Sequence, residues 1–289
     1  MKILMAVDGS DHAYEGVRAL RYLAKAEQVI LLHVLNVPRP AYPMMVPEVA
    51  EELYRERELH LRTDGERLLD RIQSLLPPHT GPSAKFLRIG SPADVIAAVA
   101  EEEHVDLIVM GSRGLGPIKE RVLGSVSHRM VSLARCAKLI INGPVKAIRQ
   151  ILVPLAGSFD REEAVRYLEA KPFLEPPELN LFTVLPSVVP PWPIPEAAAA
   201  ELEDAEMKSA ERFLADGAAH LQSLGYKTRT RVVVGPPAES ILSEATRLGS
   251  DLILMGSRGR QGMTRMLLGS VSHAILHQMP CPVLVLPTT

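Results

Sequence analysis

The sequence predicts an α/β protein made of two doubly wound units, each a five-stranded parallel sheet of order 3-2-1-4-5. Three observations carry this. Short continuous apolar runs such as Leu107-Ile108-Val109-Met110 alternate with helical segments, as strands buried on both faces by crossover helices require. The chain repeats itself: a shift of 145 positions lays Asp106-Leu107-Ile108-Val109-Met110-Gly111-Ser112-Arg113-Gly114 over Asp251-Leu252-Ile253-Leu254-Met255-Gly256-Ser257-Arg258-Gly259, with eight of nine residues identical. The length of 289 residues suits two domains of roughly 100 to 200 residues each.

The first half reads as strand 2–7, helix 11–25, strand 28–35, helix 48–76, strand 84–89 and helix 92–103, followed by strand 106–110, a glycine loop, helix 125–135 and strand 138–142. Ser91-Pro92-Ala93-Asp94 opens the third helix, with Ser91 as N-cap, Pro92 in the first helical position and Asp94 facing back. Proline-rich stretches, Pro38 to Pro47 and Pro186 to Pro195, follow strand two of each half and read as extended loops near the carboxyl edge of the sheet. The 145-residue shift also pairs Leu123-Gly124-Ser125-Val126-Ser127-His128 with Leu268-Gly269-Ser270-Val271-Ser272-His273 and sets Cys136 on Cys281. Near the start the offset is 148, where Ile3 through Ser10 answers Ile151 through Ser158. The boundary falls near Gly143 to Arg149, giving domains 1–146 and 147–289.

Composition narrows the function. Hydrophobic residues at 47% and charged residues at 23% describe an ordinary globular protein and exclude disorder. Lys plus Arg number 32 against 34 for Asp plus Glu, so no basic field faces a nucleic acid, and 4% aromatics leave few rings for stacking bases. No apolar run nears the roughly 18 to 20 residues that span a bilayer, and Ile3 to Val7 is too short for a signal-peptide core; a cytoplasmic protein is expected. Two cysteines are too few for a disulfide framework or a zinc site.

The chemistry lies in Gly111-x2-Gly114-x9-Gly124-Ser125, which recurs as Gly256-x2-Gly259-x9-Gly269-Ser270 between the fourth strand and the last helix. Glycines let backbone approach a ligand, and free N–H groups at a helix start attract an anion, so a phosphate chain fits. Ser125, Ser127, Ser270 and Ser272 are the candidate hydroxyls. A dinucleotide fingerprint would read G-x-G-x-x-G after the first strand, and a P-loop needs Gly-Lys-Ser/Thr where Gly116 is followed by Pro117, so neither applies. Bare tight turns would explain a single copy, but Gly-Ser at identical spacing in both halves favours a ligand.

Asp8 ends the first strand. In a 3-2-1-4-5 sheet strands one and four are neighbours whose crossovers leave on opposite faces, so Asp8 faces the Gly111 loop across a topological switch point. Two roles are open to it: accepting hydrogen bonds from a ribose hydroxyl or adenine amine, or making an N-cap or Asx turn before the first helix.

These residues resemble the universal stress protein family in its tandem form, over nearly the whole chain. Besides the glycine-serine motif, Ala6-Val7-Asp8-Gly9-Ser10, Gly90-Ser91-Pro92-Ala93 and Gly235-Pro236-Pro237-Ala238 carry the likeness. The resemblance implies Rossmann-like domains of the adenine nucleotide alpha hydrolase type and, in the family's ATP-binding branch, a motif that holds triphosphate and ribose. Position by position it implies roles for Gly111, Gly114, Gly124, Ser125, Val126, Asp8 and Val34, with Ala6 and Met110 at the strand ends. In the second half it implies Gly256, Gly259, Gly269, Ser270, Val271 and Val184, with Pro154 and Met255. There Ala156 stands where Asp8 would be, so the second pocket has to be weaker or to use backbone groups for the sugar. The resemblance further implies that the two last strands meet antiparallel as an internal pseudo-dimer; homodimerisation of the chain stays open.

Arg113 and Arg258, with Lys119, Arg121, Arg260 and Arg265 nearby, either cover phosphates or are solvated loop charges. His273 and His277 have metal-binding spacing, but no third ligand is apparent and packing or surface histidines are the simpler reading. Magnesium would bind through ATP phosphates. The expectation is a nucleotide-dependent regulatory or stress-response protein and not an enzyme, because no Walker-B-like carboxylate or arginine finger is identifiable. The rivals are a slow ATP hydrolase or adenylyl-transferring enzyme, and a structural dimer module with vestigial pockets.

Overall fold

The computed structural model describes residues 1–37, 47–114, 123–186, 195–257 and 268–287. The chain divides into two compact units, the first holding most of residues 1–144 and the second most of 145–289. The first runs β1 (Lys2–Ala6), α1 (Asp11–Ala19), β2 (Gln28–Leu35), α2 (Pro47–Ser74), β3 (Ser83–Ile89), α3 (Pro92–Glu102), β4 (Leu107–Gly111), α4 (Ser125–Leu133) and β5 (Ala137–Ile141). The second repeats it as β6 (Gln150–Pro154), α5 (Ser158–Glu169), β7 (Glu178–Leu185), α6 (Glu196–Ser223), β8 (Lys227–Val234), α7 (Pro237–Leu248), β9 (Leu252–Gly256), α8 (Ser270–Gln278) and β10 (Val283–Leu286).

Within each unit the strands pair in parallel in the order 3-2-1-4-5. The central strands are buried on both faces: Ile3, Leu4 and Met5 of β1 and Leu107 to Met110 of β4 are all at most 4% exposed, which is why they read as unbroken apolar runs. The end strands β3 and β8 are partly solvated and carry Lys85, Arg88, Lys227, Arg229 and Arg231, charges that discourage edge-to-edge pairing.

The repeated aspartates have a structural task that periodicity does not reveal. Asp106 Oδ2 accepts the Lys2 N–H at 2.7 Å while the Asp106 N–H donates to the Lys2 carbonyl. Asp251 Oδ2 likewise accepts from the N–H groups of Arg149 and Gln150, at 2.8 and 3.0 Å, and returns its own N–H to Gln150. Each aspartate ties the fourth strand of its unit to the first at the end opposite the glycine loop.

In the first unit element bounds agree with the sequence reading to within two residues, except in the first helix. It stops at Ala19 instead of residue 25 and tightens into a 3-10 turn over Leu20–Tyr22, with Arg21 Nε closing the Arg18 carbonyl at 3.0 Å. A second correction concerns α3. Pro92 takes the first turn as expected, but Ser91 makes no side-chain cap and Asp94 pairs with Arg129 of α4 at 2.7 Å instead of facing back. The proline-rich stretches lie mostly outside the described residues.

Candidate functional site

The site grows from the carboxyl ends of β1 and β4, which run side by side with Ala6 opposite Met110. Beyond β1 the chain is held flat by the Val7 N–H to Leu32 carbonyl bond at 2.9 Å and by His33 Nδ1, 2.7 Å from the Val7 carbonyl. Asp8 then turns the backbone, its Oδ1 accepting the Ser10 N–H at 3.0 Å. Ser10, not Asp8, caps α1: its Oγ accepts from the Ala13 N–H at 3.3 Å and donates to the Arg113 carbonyl at 3.2 Å, which fastens the first helix to the glycine loop. Asp8 therefore makes an Asx turn with one oxygen and turns the other toward Gly114. A Cβ on Gly114 would lie 2.5 Å from Asp8 Oδ2, so a side chain there would force the Asp8 carboxylate to shift.

The loop closes on itself. Ser112 donates its N–H to Ile141 at 2.7 Å and accepts from the Gly124 N–H at 2.8 Å, and a Cβ on Gly124 would meet the Ser112 carbonyl at 3.2 Å. A Cβ on Gly111 would press against His12 at 2.8 Å. His12 Nδ1 lies 3.1 Å from Ser112 Oγ; burial, and then the Arg113 guanidinium, hold its imidazole below the usual 6.5. Gly124 is the N-cap of α4, where no side chain caps the helix, and Ser125 is exposed in its first turn. An uncapped helix start beside a glycine loop presents backbone N–H groups to an anion.

Ser127 serves differently from the sequence expectation. Its Oγ is buried and donates to the Gly111 carbonyl at 2.8 Å, and Ser272 does the same to Gly256 at 3.0 Å. Both brace the last helix against the end of the fourth strand, leaving Ser125 and Ser270 as the exposed hydroxyls. Ser127→Ala is expected to cost the fold about 1 kcal/mol by orphaning the Gly111 carbonyl, measurable by urea denaturation. Of the other expected residues, Met110 is buried beneath the loop, while Ala6, Val34, Arg113 and Val126 are half-buried. Lys119, Arg121, Arg258, Gly259, Arg260 and Arg265 lie outside the described residues.

The second unit repeats the frame with altered chemistry. Thr183 Oγ1 donates to the Leu155 carbonyl at 2.9 Å, taking the place of His33. Gly269 caps α8 without a side-chain bond, and its N–H reaches the Ser257 carbonyl at 3.0 Å. Ala156 receives a carboxylate after all: Asp160, in the first turn of α5, reaches back to its N–H at 3.0 Å, and burial pushes that carboxyl above the usual range. A cavity of about 360 Å³ opens between Ala156 at the end of β6, Leu185 of β7 and Phe213 of α6. Pro154, Val184 and Val271 are half-buried, and Met255 is buried. Glu206 and Ser209, which line the cavity, belong to no motif in the sequence. The rings of His273 and His277 lie with their centroids 4.3 Å apart and their planes tilted by 40°, and among the described residues no group of three or more His, Cys, Asp or Glu is placed to hold a metal ion.

The model of the Universal stress protein family matches residues 1–142 and again 147–287. The chain belongs to the universal stress protein family. Universal stress protein Rv2005c of Mycobacterium tuberculosis is 27% identical over 279 residues, covering 88% of this chain and 85% of the relative, and so shares the tandem arrangement. Universal stress protein YxiE of Bacillus subtilis is 34% identical over 145 residues, which is 97% of its length but 48% of this chain. A crystal structure of a universal stress protein from Archaeoglobus fulgidus superposes with a TM-score of 0.63 over 99% of this chain and 96% of that one, at 19% identity, and shows the fold. As a universal stress protein of tandem form, the chain carries the glycine-serine loop in both units, and no helix among its described residues is long and apolar enough to cross a membrane.

Proposed function

We propose that both units bind ATP at the carboxyl edge of the sheet and that the protein is a nucleotide-dependent regulatory or stress-response protein acting in the cytoplasm. The observation that carries this reading is Asp8 Oδ2 set against Gly114, next to the uncapped start of α4. The residues fit a polyanionic nucleotide. Gly111, Gly114 and Gly124 let the backbone run where a Cβ would press on His12, Asp8 and the Ser112 carbonyl, and the α4 and α8 amides with Ser125 and Ser270 supply donors for phosphate oxygens. Asp8 supplies an acceptor for the nucleoside, and magnesium would enter on the phosphates with most of its waters. Donors that bind phosphates support retention of the nucleotide over its turnover. Its output would be a change of shape or partner, which requires ATP to bind one state more tightly than another.

The direct test is to denature the purified protein, identify the released ligand by chromatography, and follow added ATP for hours. Intact retained ATP supports the reading, multiple-turnover ADP or AMP replaces it with a hydrolase or adenylyl-transferring enzyme, and inability to take up nucleotide leaves a structural module. Asp8→Ala is expected to weaken first-unit binding about ten- to a hundred-fold, the loss of one charged hydrogen bond of about 1.5 to 3 kcal/mol. Asp8→Asn keeps an acceptor for the Ser10 turn and separates that structural role from the ligand contact; calorimetric titration of both variants reads the difference.

A further inference from the structure

The second crevice lacks the strand-end carboxylate of the first, because Ala156 stands in the position of Asp8. Asp160 turns its Oδ2 back onto the Ala156 N–H and is not among the residues that line the cavity beside it. Yet the cavity beside Ala156, at about 360 Å³, falls within the roughly 300 to 1,000 Å³ range of small-molecule pockets. One whole side of it is a helix face. Glu206, Ser209, Ala210 and Phe213 follow one another at spacings of three, four and seven from the first, which lines them up along α6. We propose that Glu206, with Ser209 one turn away, supplies the second crevice with the acceptor missing from β6, so that this unit reads the ribose hydroxyls or exocyclic amine of a nucleoside from helix α6 instead of from the strand.

The wall beside Glu206 is built to stay in place. Arg161 lays its guanidinium 4.8 Å over the Phe213 ring and donates from Nη1 to the Phe213 carbonyl at 3.3 Å. It can do so because α6 carries Gly217 at that point, where a Cβ would sit 3.1 Å from Arg161 Cδ. Phe213, Leu185 and Ala210 thus form a fixed apolar surface suited to a base, with Glu206, Ser209 and Ser158 as the polar groups at its border. Thr183, also on the cavity, has its hydroxyl proton committed to the Leu155 carbonyl. The two long helices have the same length, 28 residues, and in their common register Glu206 falls on Arg57 and Ser209 on His60. The first unit therefore places its acid on the strand and a cation at the helix position, whereas the second has no acid on the strand and an acid on the helix.

This inference rests on the nucleotide reading above. The test is calorimetric titration of the full chain with ATP, 2′-deoxy-ATP and ITP, for the parent, Asp8→Ala, Glu206→Gln and the double variant, with thermal melts confirming that the exposed Glu206 position tolerates glutamine. The parent should show two sites. Glu206→Gln should weaken one of them about ten- to a hundred-fold and leave the other within twofold, Asp8→Ala should weaken the other one, and the double variant should lose both. Selective loss of 2′-deoxy-ATP or of ITP at the Glu206-dependent site identifies the donor it reads. Two sites that both ignore Glu206→Gln, or a single site sensitive only to Asp8→Ala, overturn the inference and leave the nucleotide reading intact; a parent that binds no nucleotide removes both.

Discussion

Alanine at position 114 is expected to weaken nucleotide binding by the first unit at least a hundredfold and to destabilise that unit by about 1 to 3 kcal/mol, the usual range for an overpacked site. The single methyl group would lie 2.5 Å from Asp8 Oδ2, well inside contact distance. Asp8 has little freedom to retreat, because its Oδ1 holds the Ser10 N–H and Ser10 in turn caps α1 and grips the Arg113 carbonyl. Either the Asx turn breaks or the segment 112–114 lifts off, and both deform the cradle. Gly114 is not at positive φ, so the effect is steric and not one of backbone strain. A double variant separates the contributions: Asp8→Ala with Gly114→Ala should recover most of the stability in a thermal melt and none of the affinity in a titration. Wild-type affinity in Gly114→Ala alone would show that Asp8 and the loop do not act together.

Lys138→Met is expected to stabilise the first unit at pH 7 by about 2 kcal/mol, a shift of about 5 °C in melting temperature. Lys138 is 1% exposed in β5, where the repeat places Val283 in the second unit. Burial pushes its ammonium down from 10.5 to about 8. At about 1.4 kcal/mol per unit the charged form costs the fold about 3 kcal/mol, offset in part by the bond from Nζ to the Ala134 carbonyl at 3.0 Å, which methionine forfeits. The pH dependence fixes the sign. Below pH 8 folded and unfolded chains both carry the proton and the cost is present in full. Between about 8 and 10.5 the unfolded chain binds more protons than the folded one, so this residue makes stability rise with pH. Cys281, pushed up to about 12 by burial, acts in the opposite sense above its ordinary 9.0, and Cys136 is raised too. The informative quantity is therefore the difference between parent and Lys138→Met, which should shrink from pH 8 to pH 10.5; a constant difference would mean that Lys138 is not buried as an ammonium.

The contrast between what was legible and what was not follows the range of the interactions. The alternation of strands and helices is written in apolar periodicity and the repeat in matching local motifs, and the approach of Asp8 to the Gly111 loop follows once strands one and four are neighbours. Hydroxyl roles are not. Ser125 and Ser127 are equivalent in a motif, and only the path of the loop shows that one is exposed while the other reaches the Gly111 carbonyl. Asp94 has the spacing of a cap, but Arg129, 35 positions away, competes for it. Glu206 and Ser209 lie in a long helix rich in charge, where nothing distinguishes a residue facing a cavity from one facing solvent until β7 is packed beside it. Lys138 sits in an apolar run, and its depressed basicity appears only once the run is seen to be a strand covered on both sides.

The clasp formed by Asp106 and its counterpart Asp251 bears on how the chain is made. In both units the first strand to leave the ribosome ends in the middle of its sheet, so β1 and β6 must wait more than a hundred residues for a second neighbour. Until then one flank of Ile3-Leu4-Met5, or of Ile151-Leu152-Val153, is an open ladder, the kind of non-local pairing that slows folding and invites mispairing. The arrival of each aspartate starts the second pairing, which is complete only once Leu107–Gly111 or Leu252–Gly256 has followed it, and that is the earliest moment at which each half can become protease-resistant, so the polypeptide should mature in two successive steps as it emerges.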